Sequence, residues 1–110
     1  MKVLILMMLS SFVLAGAAQA ASNLLIHHKV KDYPTWRKAF DAHKMKQQEA
    51  GLTNPRVYFT DGDNRNVSIM FDASDEAKAK EFSQSQDLKN TMQAAGVQGK
   101  ADIHILTTPQ

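Results

Sequence analysis

Four histidines carry most of the chemistry open to this chain: His27, His28, His43 and His104. An imidazole changes charge near neutral pH, so it can take a proton from a weakly acidic substrate or hydrogen-bond a carbonyl. His28 and His43 matter most, because strand alternation and helical phase both turn them toward the layer between a sheet and its helices. As catalytic candidates they would serve a phenol-like substrate. The same two rings could instead hydrogen-bond each other or nearby backbone and complete a core. Trp36, Phe40, Phe59, Phe71 and Phe82 stand at spacings that would wall a ligand pocket around them. Aromatic residues so placed also make an ordinary core. If the walls enclose a void, a flat and mostly apolar molecule suits it.

Other chemistries find little support. His27 and His28 are neighbours on one strand, so their rings point to opposite faces and cannot share a metal ion. His104 could approach His27 from another strand, but no carboxylate stands at supporting spacing, so neither a metal nor a cofactor is expected. Asp61, Asp63 and Asp72 take the first, third and twelfth places of a calcium loop. Arg65 then falls on a ligand position and Asn66 replaces the sharp-turn glycine, so the segment reads as a hairpin tip. The five glycines are dispersed and form no phosphate cradle, and no G-x-S-x-G elbow is present. The lack of cysteine excludes thiol catalysis, thiolate metal sites, a lipobox anchor and disulfide staples.

These side chains are positioned by a chain of 110 residues whose first 20 have the layout of an export signal. Lys2 gives a positive start, Val3 to Leu14 form an uncharged apolar run, and Ala18-Gln19-Ala20 offers a peptidase site. The run is shorter than the roughly 20 residues that span a bilayer. Cleavage before Ala21 is expected, releasing residues 21–110 as one periplasmic or secreted domain with no membrane anchor. Without Lys2 that domain holds 12 basic against 11 acidic residues, and its lysines are scattered. It carries no nucleic-acid footprint.

Within the domain, Leu24 to Val30 reads as a strand, with Leu24, Ile26, His28 and Val30 on one face and Leu25, His27 and Lys29 on the other. Asp32 and Pro34 open a helix that Gly51 closes, and Trp36, Phe40, His43 and Gln47 form its inner stripe. Val57 and Phe59, then Val67, Ile69 and Phe71, alternate on two strands joined by a polar turn over 61–66. Ser74 is a candidate cap for a second helix bearing Ala79 and Phe82. The six-residue step from Phe82 to Leu88 is out of helical phase, so a break is expected near 83–86, with a short helix running up to Gly96. Residues 102–108 alternate as a last strand. The order βαββαβ predicts a ferredoxin-like α+β fold, a four-stranded antiparallel sheet with helices on one face. Its other face presents Leu25, Tyr58, Met70 and Leu106 beside His27 and His104. That surface is too apolar for water and calls for a second copy.

The segments "HKVKDYPTWRKAFDAH", "RVYFTD", "NVSIMFD" and "KAKEFSQSQDLKNTMQAAGV", followed by a closing strand, resemble the dimeric α+β barrel superfamily. The likeness is nearest to its antibiotic-biosynthesis-monooxygenase-like domains and covers nearly all of residues 21–110. It implies a homodimer whose two sheets close into a barrel, with a pocket between each sheet and its own helices. Members include cofactor-free oxygenases, haem-degrading enzymes and stand-alone domains with no assigned reaction. The oxygenases and haem degraders commonly use a first-strand asparagine and a tryptophan from the second half of the domain. His28 stands at the comparable first-strand position here, and the second half has Phe82 but no tryptophan. The expectation is an exported homodimer that binds a small, mostly apolar molecule beside Trp36. The alternatives are a cofactor-independent monooxygenase using His28 or His43 as base, and a structural dimer module without ligand.

Overall fold

The computed structural model describes residues 22–109; the expected signal segment and its cleavage point lie outside them. The chain runs β1 (Ser22–Val30), α1 (Tyr33–Ala42), α2 (Lys44–Glu49), β2 (Leu52–Thr60), β3 (Asp63–Ala73), α3 (Glu76–Ser83), α4 (Gln86–Ala94) and β4 (Val97–Leu106). All four strands join one sheet in the order β2-β3-β1-β4, with every neighbouring pair antiparallel. This is the ferredoxin-like α+β arrangement that the alternation predicts.

The register divides the sheet into two faces. Val57, Ile69, Ile26 and Ile103 stand side by side across the strands, as do Phe71, Leu24 and Ile105. With Trp36, Leu52, Ala79, Phe82, Leu88 and Ala95 they enclose the core. The opposite face carries Arg56, Met70, Leu25 and His104 in one row and Tyr58, Ser68, His27 and Asp102 in the next. None of those eight is fully buried, and Tyr58 and Leu106 are exposed large apolar residues. Among the described residues, no helix is long and apolar enough to cross a membrane.

Several local features differ from the sequence reading; β4, expected over 102–108, begins five residues earlier at Val97 and ends at Leu106. The single helix expected up to Gly51 is two, because the chain tightens at His43. There the Phe40 carbonyl accepts from the His43 N–H in i→i+3 fashion and from Gln47 Nε2 at 3.2 Å, and α2 starts afresh. The hairpin turn is only Asp61-Gly62, both at positive φ, so β2 and β3 reach further toward the tip than the polar residues suggested. Asp75, rather than Ser74, caps α3 by accepting from the Lys78 N–H at 3.1 Å. Ser74 instead donates to the Gly51 carbonyl, tying the start of β2 to the end of β3. The expected break before Leu88 is present: α3 ends at Ser83, and Ser85 caps α4.

Candidate functional site

His28 reaches the inner layer beside an irregularity in the sheet. β1 and β4 pair in register up to His27–Asp102, shift, and resume at Lys29–Gln98, which leaves a bulge in β4 opposite His28. Gly99 sits in that bulge with φ +70°. The alternation of β1 runs unbroken past the bulge and presents the His28 imidazole to the core between Val67 and Trp36. His28 is only 4% exposed. Neither of its ring nitrogens has a hydrogen-bond partner among the described residues. Burial, with a smaller contribution from His27, lowers its pKa to about 4, so the ring is neutral at physiological pH.

Helix α1 supplies the aromatic wall. Asp32 caps it by accepting from the Thr35 N–H at 2.9 Å, and Trp36 follows one turn in. Phe40 stacks on Trp36 with ring centroids 4.9 Å apart and leans on Phe71 at 6.0 Å. His43 stands at the α1–α2 junction, its ring 5.8 Å from that of Phe82. Its Nε2 lies 2.8 Å from Asp87 Oδ2 on α4. Gln47, buried one turn later, is bound to the Phe40 carbonyl.

Six of the seven residues singled out by sequence therefore converge: His28, Trp36, Phe40, His43, Phe71 and Phe82 line one cavity. Phe59 does not. It lies on the helix-facing side of β2 but at its far end, 45% exposed, and packs edge-on against Tyr33 at 4.9 Å. The two imidazoles do not bond each other either, since His43 is taken by Asp87. Gln47, Leu88, Thr91 and Met92 are further parts of the wall. Asp87 lies 44 residues from its partner, and nothing in the local sequence connects them. Across the sheet, His27 Nδ1 is 3.9 Å from Asp102. No group of three or more His, Cys, Asp or Glu residues able to hold a metal occurs among the described residues.

The cavity measures about 40 Å³. That is room for one or two water molecules and well short of a benzene ring. A flat apolar guest of the expected kind does not fit this arrangement unless the wall moves. Phe40, His43, Thr91 and Met92 are the half-buried parts of that wall, and the unbranched Met92 side chain is the most adaptable of them.

Comparison with protein-family models and with curated proteins gave no match. Solved structures do match over most of the chain. A candidate antibiotic biosynthesis monooxygenase from Bordetella bronchiseptica aligns with TM-score 0.67 at 10% identity, covering 84% of this chain and all of that one. SnoaB, a cofactor-independent oxygenase from Streptomyces nogalater, gives 0.62 at 10% identity, over 81% of this chain and 93% of its own. A dimeric ferredoxin-like protein from an uncultured marine organism gives 0.51 at 9% identity, over 84% and 90%. The shared property is the fold. It is the ferredoxin-like α+β architecture, the fold that the sequence resemblance implied.

Proposed function

We propose that this chain is an exported homodimer that holds a small, mostly apolar molecule between the sheet and helices α1 to α4. One observation carries the reading. His28 is buried among apolar walls with both ring nitrogens unpartnered, an arrangement that costs stability unless a guest supplies the hydrogen bonds. The matching ligand is an apolar body bearing one hydroxyl or carbonyl, seated after Phe40 or Met92 swings aside. Homodimerisation would cover the apolar outer face of the sheet, and the dimeric ferredoxin-like relative supports this assembly.

The test is to purify the processed protein from its native host and identify co-purifying small molecules by mass spectrometry. A bound compound with one polar group, displaced by His28→Leu, supports the reading. A protein that is always empty, and whose melting temperature no small aromatic raises, rejects it.

The cavity's small size favours a second reading, a structural dimer module in which one or two waters satisfy His28. Tight self-association with no ligand-induced rise in melting temperature would select it.

A further inference from the structure

We infer that Asp87 is a positioning residue for His43, fixing that imidazole in the tautomer that takes a proton from a ligand's weakly acidic O–H. The inference rests on the ligand-binding reading above and assigns the ligand a proton to give up. Its basis is the contact between His43 Nε2 and Asp87 Oδ2 at 2.8 Å. An ionised carboxylate can only accept a hydrogen bond, so Nε2 carries the hydrogen and Nδ1 keeps the lone pair. No other described group hydrogen-bonds the His43 side chain.

The transfer balances simply. The ligand's O–H bond breaks, a bond from Nδ1 to hydrogen forms, and the electron pair stays on the ligand oxygen. The resulting imidazolium then lies against the Asp87 carboxylate, as in other carboxylate–imidazole pairs. His28 shares the cavity but has no carboxylate beside it among the described residues, and burial keeps it neutral. Its part is to hydrogen-bond the ligand oxygen.

Two elements pack charged groups near the pair. Lys46 and Glu49 on α2, and Lys78 and Glu81 on α3, share a groove with Asp87 and Phe82. Their charges balance in sign, which leaves Asp87 as the uncompensated one. Solvent reaches Asp87, so screening keeps its effect modest.

The experiment has one arm without ligand and one with. Long-range proton–nitrogen NMR of the histidine rings reports the His43 tautomer in the dimeric protein at neutral pH. Wild type should show the Nε2–H form alone, Asp87→Ala a mixture, and Asp87→Glu a return toward the wild-type pattern. An even mixture in wild type overturns the inference whatever binds. The second arm uses 4-nitrophenol, whose phenolate is read by its visible absorbance. Bound to wild type it should ionise at lower pH than in buffer, with Asp87→Ala reducing the phenolate fraction roughly two- to fivefold, the worth of an ion pair that solvent reaches. His28→Gln should weaken binding while the bound probe ionises as in wild type. Binding with unshifted ionisation overturns the inference alone. Failure of 4-nitrophenol to bind at millimolar concentration removes the ligand reading, and the inference with it.

Discussion

The imidazole of His28 stands edge-on to the indole of Trp36, with ring centroids 5.7 Å apart and planes at 74°. This contact packs the ring without satisfying either nitrogen, and it fixes the direction of a pH effect. Unfolded, His28 binds a proton near pH 6.5; folded, only near pH 4. Between those values the unfolded chain holds more protons, so stability is full above pH 6.5 and falls as pH drops toward 4. The loss attributable to His28 is about 3 kcal/mol at most. Urea denaturation between pH 7 and 4 should show His28→Leu losing less stability on acidification than wild type. Equal slopes would show that His28 does not titrate as its burial requires. At pH 7 the leucine variant should match or exceed wild type, because it removes two unpartnered nitrogens.

Phe71 and Phe59 both face the helices but differ in what surrounds them. Phe71 is 1% exposed and supports Phe40, so Phe71→Ala should cost about 3–5 kcal/mol and cripple any ligand binding. Phe59 rests on Tyr33 at the rim, and Phe59→Ala should cost about 1 kcal/mol and leave ligand affinity unchanged. Paired denaturation and ligand-titration curves check both. A large affinity loss in Phe59→Ala would mean that the cavity reaches the outer end of β2.

Much of this architecture was legible in the sequence because it depends on period. Leu24, Ile26, His28 and Val30 fall inward by alternation, and Trp36, Phe40, His43 and Gln47 by helical phase, and all eight line the inner layer. Phe59 misled because alternation gives a face and not a position along the strand, so it has the right orientation and the wrong depth. The split of the first helix shows in the backbone at His43 and is accompanied by Gln47 reaching back to the Phe40 carbonyl, a side-chain bond that no hydrophobic pattern encodes. The His43–Asp87 contact joins residues far apart in sequence, and only the docking of α4 against the α1–α2 junction brings them together. Gly99 escaped the reading because it precedes the alternating run over 102–108; a lone glycine inside a strand marks a bulge only once the strand is known to start at Val97.

The choice of cap for α3 is equally open to measurement. Asp75 accepts from the Lys78 N–H and places a negative charge at the positive end of the helix dipole. Asp75→Ala should therefore cost about 1 kcal/mol. Ser74 makes only an exposed, long bond of 3.3 Å to the Gly51 carbonyl, so Ser74→Ala should fall within roughly 0.5 kcal/mol of wild type. Thermal melts of the two variants separate the roles. If Ser74→Ala proved the more damaging, the link between Gly51 and Ser74 would outweigh the cap.

Leu25 of β1 stands directly opposite Met70 of β3 on the face that no helix covers, with Arg56 and His104 at either end of the same row. In the proposed dimer this row lies at the centre of the contact, while the Arg56–Asp72 ion pair at 3.2 Å marks its polar side. A glutamate at position 25 would bury a carboxylate in each half of that contact, with His104 beside it on β4. Burying such a charge costs roughly 3 kcal/mol or more, about a hundredfold or more in dimer Kd. Leu25 contributes little to the core within one chain, so Leu25→Glu should remain folded by circular dichroism. Light scattering at micromolar concentration should then find wild type as a dimer and the variant as a monomer. A wild-type monomer under those conditions, or a variant dimer as tight as wild type, would mean that the outer face of the sheet is not where two copies meet.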